Sequence, residues 1–218
     1  MMKHFNLLKF GLIPASFLMI STGSAHAHPH VYAEARLEVV IGNQGTVEEL
    51  RHVWRFDDLF SSTILLDFDT NANLKLESSE LLEIGTVVRN SLADYDYYTA
   101  ISHDGQAVKI LPPDAIHVDF QDGQILMFFA VRPETPLPLQ GLLSFGAYDP
   151  TMYAALDFLS DDDLVVDGLQ PGCSKAIIRP DPDDVMAQNQ ATLTEAFFND
   201  PQGNDISKLF ATRLELTC

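Results

Sequence analysis

The sequence predicts an α+β protein, predominantly antiparallel β and sandwich-like, with an EF-hand-like helix-loop-helix insertion. Three observations predict it. Apolar and polar residues alternate over residues 30–56, the period turns helical on both sides of a polar loop over 57–95, and short alternating runs split by turn formers return after Tyr97.

The first residues read as a leader. Lys3 and Lys9 give a positive start, "FGLIPASFLMI" is a short apolar core, and Ala25-His26-Ala27 is a small-x-small cleavage site, so residues 1–27 are expected to be a signal peptide. The apolar run, broken by Pro14, is too short to span a bilayer. Cleavage after Ala27 leaves residues 28–218, which at 191 residues suit a single β-rich domain.

That domain opens with "HVYAEARLEVVI", a turn "GNQG" and "TVEELRHVWRF", an antiparallel pair. Val31, Ala33, Ala35, Leu37 and Val39 share one face of the first strand, and His30, Tyr32, Glu34, Arg36 and Glu38 the other. In the second, Leu50, His52, Trp54 and Phe56 point together, which sets His52 among core side chains. "DDLFSSTILLDF" and "SSELLEIGTVVRNSLADY" have helical spacing and form the insertion at about residues 58–96. Strand patterns follow as "YYTAIS", "QAVKIL", "AIHVDF", "QILMFFAV", "LLSFGAY", "MYAALDF", "DLVVDGL" and "CSKAIIR". The separators "HDGQ", "LPPD", "QDGQ" and "RPETPLPLQG" are turn formers. A third helix over about residues 183–198 precedes a final strand in "LFATRLELTC".

Cys173 and Cys218 are the two cysteines. In an oxidising compartment the pair is expected to form a disulfide, whose closed loop of about 46 residues contributes roughly 3–4 kcal/mol. A thiolate metal site is the competing reading, without CxxC spacing to favour it. The leader carries two of the 13 basic residues and none of the 31 acidic ones, leaving 11 against 31 and a formal charge of −20. Such a surface repels nucleic acid and anionic lipid and concentrates cations. No GxSxG, HExxH, GxxxxGK[ST] or CxxC pattern occurs, so no enzyme is expected.

Between the two helices, "DTNANLKLESSE" spaces oxygen donors as a twelve-residue calcium loop does. Asp69, Asn71 and Asn73 fall at positions 1, 3 and 5, the Lys75 carbonyl at 7, Glu77 at 9 and a bidentate carboxylate, Glu80, at 12. Leu74 stands at position 6, where the chain must bend sharply; a leucine at positive φ costs on the order of 1–2 kcal/mol. The alternative is a solvated turn between packed helices.

If the leader is cut after Ala27, the chain begins His28-Pro29-His30. His28 then offers an imidazole and a free α-amine, and His30 a third nitrogen two residues on. Such donors suit Zn, Ni and Cu. Pro29 removes the amide that the common amino-terminal copper and nickel chelate requires, so further groups must complete the site. His52, His103 and His117 are the available imidazoles and Asp57, Asp58 and Asp119 possible carboxylates. Each has a plainer reading: His52 as a core histidine, His103 as a turn residue, His117 as an exposed strand residue.

"HPHVYAEARLEVV", "VWRFDDLFSS", "DFDTNANLKLESSEL", "LADYDYYTAI", "AYDPTMYAALDF" and "LFATRLELTC" together resemble a bacterial periplasmic family. It is catalogued as domain of unknown function 1007, or as the periplasmic component of an uncharacterised ABC-type transport system. The resemblance implies periplasmic localisation, a calcium-like loop over residues 69–80, and a metal-handling role for His28 and His30 beside a membrane permease for nickel, cobalt or zinc.

Overall fold

The computed structural model describes residues 29–189 and 207–218. Residues 1–27 of the expected leader, His28 and residues 190–198 of the expected third helix lie outside them. In chain order the elements are β1 (Val31–Ile41), β2 (Thr46–Phe56), α1 (Asp58–Phe68), α2 (Ser78–Ser91), β3 (Thr99–His103), β4 (Gln106–Ala107), β5 (Ile110–Leu111) and β6 (His117–Gln121). They continue with β7 (Gln124–Pro133), β8 (Leu137–Pro138), β9 (Leu142–Ala147), β10 (Ala154–Asp157), β11 (Leu164–Asp167), β12 (Ser174–Ile178), α3 (Pro182–Gln188), α4 (Ser207–Phe210) and β13 (Arg213–Thr217).

The strands form two mostly antiparallel sheets. The larger runs β10-β1-β2-β7-β5, with β11 also on β1, β6 on β7 and β8 on β2; the smaller runs β12-β13-β9-β3-β4. β1 and β2 alternate as the sequence does: Leu37, Val39, Leu50 and Trp54 are buried against Phe145, Leu143, Leu214 and Leu216 of the smaller sheet in one shared hydrophobic cluster. Burying side chains of this size gives about 1.5–3 kcal/mol each, the main drive for the two faces to close. β10 and β11 pair with β1 in parallel, one after the other along its outer edge.

Helix boundaries follow local chemistry. Asp57 caps α1, its Oδ1 accepting from Phe60 N–H at 2.9 Å. Glu77 and Glu80 form a capping box at the start of α2. Gly85 lets α2 lie against β6, where a Cβ would collide with the Ile116 carbonyl.

The structure departs from the pattern-based elements at four places. "QAVKIL" is two short strands, β4 on the smaller sheet and β5 on the larger, because the chain crosses between sheets at residues 108–109. α2 stops at Ser91, and a tight turn over Ala93–Tyr98 follows in which Asp96, Tyr97 and Tyr98 all have positive φ, so β3 starts only at Thr99. "MYAALDF" is extended only from Ala154. Leu209 and Phe210 belong to α4 rather than to the last strand.

Cys173 and Cys218 are joined in a disulfide between the start of β12 and the end of β13. Among the described residues no helix is long and apolar enough to cross a membrane.

Candidate functional site

His30 immediately precedes β1. Its backbone N–H donates to the Tyr153 carbonyl at 2.8 Å, Val31 N–H reaches the same oxygen at 3.2 Å, and the imidazole lies 5.1 Å from the Tyr153 ring. The side chain is exposed, on the same outward face as Tyr32 and Glu34. Beside it a cleft of about 340 Å³ is lined by Tyr32, Glu34, Arg55, Asp57, Asp58 and Asp157 among others. Both Asp57 carboxylate oxygens already accept backbone N–H groups, from Phe60 and Tyr32.

The turn that carries Tyr153 is held by a buried carboxylate. Asp149, 2 % exposed, accepts from Thr151 N–H and hydroxyl at 2.7 Å each and from Ala154 N–H at 2.8 Å. Burial, and then the adjacent Asp149 carboxylate, push the Tyr98 phenol well above its ordinary pKa. Met152 in this turn and residues 96–98 nearby in β3's approach have positive φ, as do Ala72, Leu74, Asp104 and Asp122 elsewhere.

His52 is a core residue. It is 1 % exposed, stacked on Phe129 at 4.6 Å and 7°, and Nε2 sits 3.1 Å from Thr99 Oγ1. Thr99 Oγ1 also lies 3.2 Å from Tyr97 O, and the His52 Nδ1 atom is buried without a hydrogen-bond partner. Burial lowers the imidazole pKa to about 3. A side chain so enclosed is a packing element, which corrects its candidacy as a metal ligand. Among the described residues no three His, Cys, Asp or Glu side chains come close enough to hold a metal ion. His103 ends β3 with Nε2 3.7 Å from Asp104 Oδ2. Asp119 accepts from Phe120 N–H and Gln121 Nε2.

The loop over 69–77 folds onto its own oxygens. Asp69 accepts from Asn73 N–H at 3.1 Å and Leu74 N–H at 2.6 Å, Asn71 Oδ1 from Asn73 N–H, and Asn73 Oδ1 from Lys75 N–H. Leu74 bends the chain at φ 61° with its side chain in solvent. Glu77 takes the Asn71 and Asn73 amides. Glu80, 3 % exposed, accepts from Glu77 N–H and from Thr70, contacts that hold its carboxyl at about 2, below the usual carboxylate range.

His117 lies elsewhere, on the outer face of the larger sheet. Strand register sets Arg36, Val53, Phe128 and His117 in one row across β1, β2, β7 and β6. The next row holds Glu38, Arg51 and Ala130. Together with Arg132 they enclose a groove of about 430 Å³. The lining sets these three guanidiniums and His117 beside the carboxylates of Glu38 and Asp114. No sequence signal marked this groove. The sequence pattern places Arg36 only on the outer face of the first strand and does not single out Arg51, because only the register sets them beside Phe128 and Ala130.

"HPHVYAEARLEVV" leads into and forms β1, and "AYDPTMYAALDF" spans the β9–β10 turn that anchors it. The family described as "Protein of unknown function (DUF1007)" matches residues 13–218. The chain belongs to the DUF1007 family. A Haemophilus influenzae protein described as uncharacterised is similar to this DUF1007 chain, 25% identical over 204 residues that cover 92% of this chain and 95% of the relative.

Proposed function

We propose that this protein is a periplasmic metal-binding accessory of a transition-metal transport system. On this reading, export frees the amine of His28, and His28 with His30 captures a zinc-, nickel-, cobalt- or copper-class cation and passes it to or from a membrane permease. The observation that carries the reading is the anchoring of His30. Its peptide is bonded to Tyr153 O and its ring packs on Tyr153, so the donor is attached to the sheet rather than to a loose tail. The surplus of 31 acidic over 13 basic residues favours cation approach. Few, displaceable ligands suit a carrier, because a closed four-ligand cage releases its ion slowly. His52 and His117 have no part in this site.

The test compares Zn, Ni and Cu affinities of protein starting at His28 with protein carrying one extra amino-terminal residue. The correctly processed form binds more tightly, and His30→Ala weakens both; equal affinities for the two starts remove the amine from the site.

A second reading, a calcium-stabilised structural or protein-interaction module, is favoured by one specific observation. Leu74 adopts the positive φ that position 6 of an EF-hand loop requires. Asp69, Asn71, Asn73, the Lys75 carbonyl, Glu77 and Glu80 would hold the ion, their oxygens exchanging internal hydrogen bonds for coordination.

A further inference from the structure

We infer that the groove on the outer face of β1, β2, β7 and β6 binds a small organic anion, a flat aromatic or acyl carboxylate. The floor is apolar: Val53 and Phe128 are cross-strand neighbours, Ala130 is next along β7, and Phe128 is 36% exposed. Neighbouring strands are about 4.8 Å apart, so the row from Arg36 to His117 spans roughly 14 Å, room for a two-ring body. Arginine charge sits at one end and an imidazole at the other.

The arginines differ in what already neutralises them. Arg51 is paired with Glu38 and Glu49, and Arg132 with Glu49 and Asp114. Arg36 has no carboxylate partner among the described residues; it donates from Nη1 to the Asp162 carbonyl at 3.1 Å. That leaves further guanidinium N–H groups for a carboxylate, and a planar fork grips a carboxylate through two parallel bonds. In the lining Glu38 and Asp114 offset Arg51 and Arg132, so Arg36 supplies the uncompensated positive charge that receives a carboxylate. The volume and apolar floor suit a small-molecule site, with the paired charges of Glu38, Arg51, Asp114 and Arg132 also in its lining.

Isothermal titration with 2-naphthoate, its neutral counterpart 2-naphthamide, and acetate tests both halves of the recognition. 2-Naphthoate binds more tightly than either control. Arg36→Gln weakens it about tenfold or more, and Phe128→Ser weakens it while leaving acetate unchanged. Arg36 is exposed, so Arg36→Gln melts as the parent does. Equal binding of the naphthamide, undiminished binding by Arg36→Gln, or no binding of 2-naphthoate overturns the assignment.

Discussion

His52 makes a pH-dependent contribution whose direction follows from its surroundings. Its pKa falls from 6.5 unfolded to about 3 folded. Below 6.5 the unfolded chain therefore takes up a proton that the native core refuses, and stability drops by about 1 kcal/mol per pH unit as pH falls. Glu80 titrates lower: its stabilising hydrogen bonds are complete above its ordinary 4.5 and are lost as pH falls toward about 2. The interval from 6.5 to 4.5 thus isolates the histidine. Urea midpoints across it should decline in the parent and stay flatter in His52→Phe; parallel slopes would exclude His52 as the source. Leu74 gives a second residue-scale test. Its φ of 61° strains a leucine that is 67% exposed and packs little. Leu74→Gly should raise stability by about 1 kcal/mol and enlarge any rise in melting temperature produced by calcium. A variant less stable than the parent contradicts the strain argument, and melts insensitive to calcium in both proteins remove the ion.

At the scale of elements, β1 and β2 were legible because over Val31–Val39 and Leu50–Phe56 each buries one face only, so period-two alternation survives there. "QAVKIL" misled because its alternation continues across the point where the chain leaves one sheet for the other. The strained turn after α2 was hidden for a different reason: tyrosines carry no turn signal, and their positive φ is imposed by packing such as the Tyr148 N–H bond to Tyr98 O at 2.9 Å. The His30 anchor was equally invisible, since Tyr153 is distant in sequence and only the β1–β10 pairing brings them together. Cysteine arithmetic did reach the bridge between β12 and β13. Reducing it, or replacing Cys173 with serine, should lower the unfolding free energy by about 3 kcal/mol, read as a shift in the urea midpoint. β13 remains paired with β9 in either state, so the loss is in stability rather than in fold; an unchanged midpoint would mean the bridge is dispensable.

For the molecule as a whole, charge and topology divide the surface into regions with opposite preferences. The acidic excess is a property of the entire chain, yet the outer face of the larger sheet gathers Arg36, Arg51 and Arg132, and the cleft at Tyr32 gathers Glu34, Asp57, Asp58 and Asp157 around Arg55. Composition reveals the average and conceals this division, because neighbours in space come from strands remote in sequence. The same remoteness governs assembly. β1 is an interior strand whose partners β10 and β11 arrive only after residue 153, and non-local pairing of this kind is slow. β1 can pair early with its neighbour β2, but the segment before it is seated on Tyr153 only when that distant turn arrives, so on the proposed reading a cation grip built there would be completed late in folding.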